Sequence, residues 1–132
     1  MLFHLPIKLL MGKRVIKSHS LNLNNYRNAP YHLLSDLKIS FNELLEPQLR
    51  GKKFQTPFVI EYKLFMGSVR RVDLSNVCSI VDKFFCDSLV NYGVIEDDNT
   101  SFLKSVTYLY GGIDRENPRV EARLLPYTEM EQ

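Results

Sequence analysis

The chain has 132 residues, 45% of them hydrophobic and 24% charged, with a net charge of +2 and no tryptophan. That length predicts one domain, 1–132, with a core of its own, and the composition excludes a disordered or fibrous chain. The small net charge excludes nucleic-acid binding driven by bulk charge, so any basic surface has to come from local clustering.

Residues 1–15 are apolar but are interrupted at Pro6 and Lys8, and no stretch reaches the 18 or so apolar residues of a membrane span. No signal-peptide pattern follows. The expectation is a cytoplasmic protein with no membrane partner. Leu2 to Leu10 and Arg14 to Leu21 read as two strand-like pieces around Met11-Gly12-Lys13, a candidate hairpin. The asparagine-rich run 22–30 has the chemistry of a loop. Pro30 suits the first turn of a helix, with Asn28 as a cap. From Tyr31 to Leu45, Leu33, Leu34, Leu37, Phe41, Leu44 and Leu45 recur at helical spacing, and Pro47 is expected to end that helix.

Phe58 to Met66 is rich in aromatic and β-branched residues and predicts a strand. Leu74 to Tyr92 predicts the longest helix, with Val77, Ile80, Val81, Phe84, Phe85 and Leu89 as its apolar stripe and Gly93 as its stop. Cys78 and Cys86 lie eight apart on it, a rise of about 12 Å, too far for a disulfide and consistent with reduced packing residues. Phe102 to Tyr110 predicts a strand, Gly111-Gly112 opens a turn reaching to Pro118, and Arg119 to Leu125 alternates as a last strand. The tail 126–132 is expected to fray. The predicted architecture is α+β: a small mixed sheet of about four to five strands with two helices on one face, in the order β(β)αβαββ.

Two acidic groups flank the long helix. Asp73, followed by Ser75 and Asn76, sits where an N-cap aspartate belongs, and capping alone explains it. Arg70 and Arg71 stand just upstream, however, where the helix dipole is already positive, and they call for an anionic partner such as phosphate. Glu96, Asp97 and Asp98 follow the helix. They read either as a solvated turn or as carboxylates whose mutual repulsion a hard divalent ion relieves. Basic residues recur at Lys13, Arg14 and Lys17, and at Arg50, Lys52 and Lys53. With Asn22, Asn24, Asn25, Tyr26 and Arg27 they form a candidate phosphate-tracking surface; solvated faces and turns are the alternative. His4, His19 and His32 show no metal-ligand spacing, and no P-loop, dinucleotide fingerprint or nucleophile elbow is present.

The run Arg70-Arg71-Val72-Asp73-Leu74-Ser75-Asn76, the amphipathic helix, and then Gly93-Val94-Ile95-Glu96-Asp97-Asp98 resembles the signature of RusA-type Holliday junction resolvases. That family shows arginines before D-L-D-N, a helix, and G-x-x-x-D-D ahead of a strand; Asn24-Asn25-Tyr26 resembles its S-N-N-Y loop. The resemblance covers residues from about 14 to 125. It implies a small homodimeric endodeoxyribonuclease of a bacterial, phage or prophage setting, acting in DNA recombination and repair. Such an enzyme cuts branched DNA, four-way junctions above all, by paired nicks and depends on Mg²⁺ or Mn²⁺.

Carried over by position, Asp73 matches the first catalytic aspartate, Asp98 the aspartate after the helix and Asp97 its neighbour, the three implied metal ligands. Ser75 stands where the family has its second aspartate, and Ser79 where it has a lysine. Lys83 lies one turn further along the same face. The candidate DNA contacts, from the resemblance and from the basic clusters together, are Arg70, Arg71, Asn76, Lys83, Asn24, Asn25, Arg27, Lys52 and Lys53. For the dimer surface, the helix face bearing Val81 and Phe85 competes with core packing. Two other readings stand beside the nuclease: a branched-DNA binder of the same fold that cuts nothing, and an interaction domain whose carboxylates are only caps.

Overall fold

Residues 1–128 are described in the computed structural model. Their order is β1 (Leu2–Leu5), β2 (Lys8–Met11), β3 (Lys17–Ser20), α1 (Leu23–Asn28), α2 (Tyr31–Leu49), β4 (Phe58–Met66), α3 (Leu74–Asn91), β5 (Leu103–Ile113) and β6 (Arg119–Pro126). A four-stranded mixed sheet runs β1-β6-β4-β5, and β2 and β3 form a separate hairpin. The fold is the expected small α+β architecture.

β4 and β6 are the sheet's two inner strands, and alternation gives β4 one buried face. Phe58, Ile60, Tyr62 and Leu64 are fully buried, while Val59, Glu61 and Lys63 on the other face are only half-buried. The buried row meets α2 and α3. Phe85 lies against Tyr62 and Phe3, and Phe84 meets Phe41 edge-on with ring centroids 5.5 Å apart. β4 pairs in parallel with β5, which a crossover through α3 makes possible, and antiparallel with β6. This parallel pairing sets the position of everything at the two ends of α3.

Several expectations are corrected. The single strand over 2–10 breaks at Pro6, which has no amide to donate to a ladder; β1 joins β6, while β2 pairs with β3. The hairpin is real but stands outside the main sheet, and its second strand starts only at Lys17. The expected loop 22–30 contains α1, because Asn22 acts as a cap and accepts from the Asn25 amide at 2.8 Å. Asn28 does not cap α2; its side chain donates to the Asn24 carbonyl.

Pro47 does not end α2. It sits in the last turn, where it forfeits only one backbone bond, and the fully buried Leu49 holds that turn in place. Gly111 and Gly112 belong to β5 and not to a turn. Val81 and Phe85 are both 0% exposed, so that face of α3 is core and offers no dimer surface. Cys78 and Cys86 are buried free thiols, as expected. Pro126 is still within β6 and the Tyr127 amide donates to the Pro57 carbonyl at 3.1 Å; residues 129–132 of the expected frayed tail lie outside the described residues.

Candidate nucleic-acid interface

Asp73 is the residue before α3, in extended conformation (φ −77°, ψ 135°), and its carbonyl accepts from the Asn76 amide at 3.0 Å. Its carboxylate makes no capping hydrogen bond. The capping explanation therefore does not account for this side chain. It lines a cleft of about 1090 Å³ at the C-terminal end of β4, together with Arg70, Arg71 and Asn76.

Lys8, Asn22, Tyr110 and Arg115 line the same cleft. Four cations thus face a single carboxylate, and none of the four forms an ion pair among the described residues. Uncompensated cations in a concave site favour an anion, and phosphate oxygens match arginine forks well. Asn76 also braces the fold, since its Oδ1 accepts from the Leu23 amide at 3.2 Å and ties α1 to the start of α3. Ser75 is exposed on the first turn of α3, and its carbonyl accepts from the Ser79 hydroxyl.

Asp97 and Asp98 stand elsewhere. They line a smaller cleft of about 440 Å³ with Lys38, Glu43, Asp87 and Asn91, between α2 and the C-terminal turns of α3. Asp97 holds its own loop in shape, accepting from the Asp98 amide at 2.7 Å and from the Asn99 side chain at 3.0 Å. Partial burial, then a hydrogen bond with Asp97, raises the Asp98 carboxyl above its ordinary range. The 18 residues of α3 separate the two acidic groups by about 27 Å. Because β4 and β5 are parallel, Asp73 follows the end of one strand while Asp98 precedes the start of the other, at opposite ends of the sheet. Among the described residues no three His, Cys, Asp or Glu side chains gather closely enough to hold a metal ion. One chain therefore does not fit the Mg²⁺ or Mn²⁺ site that Asp73, Asp97 and Asp98 suggest in sequence.

The remaining candidates divide the same way. Asn24 and Asn25 are exposed on α1, but their side chains close it: Asn25 donates to the Ser20 carbonyl and Asn24 accepts from Asn28. Arg27 is exposed in the last turn of α1, and Lys83 is exposed on α3. Lys53 donates to the Gly93 carbonyl at 2.8 Å and so braces the far end of α3, with the exposed Lys52 beside it.

Lys8, Tyr110 and Arg115 were not among the expected contacts. Arg115 follows β5 as Arg70 and Arg71 follow β4, and parallel pairing puts both followers at one end of the sheet. The β–α–β order carried that signal.

No family model matches the chain, and no curated protein matches it. No helix among the described residues is long and apolar enough to cross a membrane.

Proposed function

We propose that the chain is a structure-selective endodeoxyribonuclease of the Holliday junction resolvase type, dependent on Mg²⁺ or Mn²⁺ and acting on four-way DNA as a homodimer. The observation that carries this reading is the cleft at the start of α3, where four cations with no ion pair among the described residues share the lining with a carboxylate that makes no capping hydrogen bond. Arg70, Arg71, Arg115 and Lys8 bind a backbone phosphate there and oppose the charge that develops on it. Asn76 holds the helix start in place, whereas Ser75 is exposed on the first turn of α3 and does not line the cleft. The divalent ion would supply an activated water and a polarised phosphoryl oxygen. Its donors would be Asp73 of one chain with Asp98 and Asp97 of another, since one chain holds them apart.

The separation of Asp73 from Asp98 within one chain favours a second reading: a branched-DNA binder that uses the basic cleft and cuts nothing. The deciding experiment incubates a synthetic four-way junction with protein in Mg²⁺ or in EDTA, beside Asp73→Asn. Paired nicks that need Mg²⁺ and vanish in the variant support the nuclease. Salt-sensitive binding with no nicks at any protein concentration overturns it in favour of the binder.

A further inference from the structure

The two edges of the main sheet are unequal. β1 is only four residues long, a common way of blunting an edge. β5 is eleven residues long, lies at the other edge, and hydrogen-bonds to no strand on its outer flank among the described residues. Its sequence, LKSVTYLYGGI, is rich in strand-forming residues and carries one charge, Lys104. Its register against β4 runs unbroken from Ser105 to Tyr110 and slips on either side, between Leu103 and Ser105 and between Tyr110 and Gly112. Tyr110 is 58% exposed, and Ser105 and Thr107 are exposed as well. A long edge with a regular middle and no strand on its outer flank among the described residues is a template for another strand.

We propose that β5 pairs antiparallel with β5 of a second copy about a two-fold axis at Thr107, joining two sheets into one of eight strands. In that register Lys104 faces Tyr110 of the second copy, Ser105 faces Leu109 and Val106 faces Tyr108, so no like charges meet. The half-buried Val106 and Tyr108 are on the helix side and become covered along the seam. A surface that complements itself in this way is what a two-fold dimer requires.

The pairing has a consequence at the acidic residues, one that rests on the nuclease reading above. β5 ends beside the basic cleft, since Tyr110 and Arg115 line it, and begins after Asp97 and Asp98. Antiparallel pairing therefore sets the Asp73 end of each chain against the Asp98 end of the other. The two acidic groups that one chain holds apart come to the same end of the joined sheet, once on each side of the axis.

The interface is tested without DNA. Wild-type protein is examined by sedimentation, and Ser105→Cys, Thr107→Cys and Leu109→Cys are made singly; Cys78 and Cys86 are buried and do not compete. Directly opposed antiparallel residues lie about 4.5–5.5 Å apart at Cα, within disulfide range. The expected result is a wild-type dimer in which Thr107→Cys crosslinks to itself, while Ser105→Cys and Leu109→Cys crosslink only when mixed. A monomer in sedimentation, or a dimer that crosslinks at none of these positions, overturns the proposal. A crosslinked dimer that leaves junctions uncut supports the interface and refutes the nuclease instead. A dimer that cuts junctions but crosslinks at none of these positions refutes the interface and leaves the nuclease standing.

Discussion

A carboxylate at a helix start usually accepts from an amide of the first turn and stabilises the helix by roughly 1 kcal/mol. Asp73 makes no such bond, so its replacement separates function from fold. Asp73→Ala is expected to change unfolding free energy in urea by less than about 0.5 kcal/mol, as for an ordinary exposed position, while junction cleavage is lost. Arg70→Ala and Arg71→Ala are each expected to weaken DNA binding and to lower the slope of log affinity against log salt by about one, as read by fluorescence anisotropy at several salt concentrations. Arg119 is a contrasting arginine: it pairs with Asp114 and Glu121 and lies 4.2 Å from the Phe65 ring centroid, so it is engaged on the open face of the sheet. Residue type alone did not separate these arginines. Arg70 and Arg71 stood out by their place before a helix, whereas Arg115 needed the sheet topology to be seen.

At the scale of elements, the strongly periodic segments were legible and the polar or glycine-rich ones were not. α3 and β4 declared themselves because one apolar face of each is buried almost without exception. α1 hid behind asparagines that read equally as loop residues or as caps. β5 hid its last residues behind Gly111-Gly112, which reads as a turn. The reason for Gly111 is packing: a Cβ there would stand 2.7 Å from the Phe65 ring and 2.8 Å from Lys63 Cγ, while Gly112 has φ +111°, where glycine is favoured. Gly111→Ala is expected to destabilise the protein by about 1–3 kcal/mol, measured by urea unfolding, because Phe65 is held between that glycine and Arg119. An unchanged unfolding midpoint would mean that Phe65 swings aside freely. The separation of Asp73 from Asp98 was legible from the helix between them, and the parallel pairing of β4 and β5 adds that they stand at opposite ends of the sheet.

At the scale of the whole molecule, a buried polar cluster couples stability to alkaline pH. Asp82 on α3 accepts from the Tyr62 hydroxyl and the Cys86 thiol beneath the sheet. Burial, then the Asp82 charge, pushes Cys78 up to about 12, and burial also raises Cys86 and Tyr62 above their ordinary values. Tyr108 is pushed up to about 12 by the same causes. These groups keep their protons longer folded than unfolded. Their contribution is complete below the ordinary thiol and phenol values of 9.0 and 10.0, and it is lost as pH rises through about 12. The urea midpoint is expected to hold at pH 8 and fall steadily above about pH 9. A flat profile to about pH 11 would contradict it.

Two copies, each carrying an acidic group at either end of α3, define the molecule that is proposed to act on a junction. The most direct measurement mixes Asp73→Asn protein with Asp98→Asn protein, allows subunits to exchange, and assays a four-way junction in Mg²⁺. Each variant alone is expected to be inactive. The mixed dimer retains one site with both carboxylates, formed from Asp98 of the first variant and Asp73 of the second, and is expected to nick one strand. A mixture as inactive as its parts, beside a wild-type protein that cuts, would place both carboxylates of a site in one chain and contradict the account.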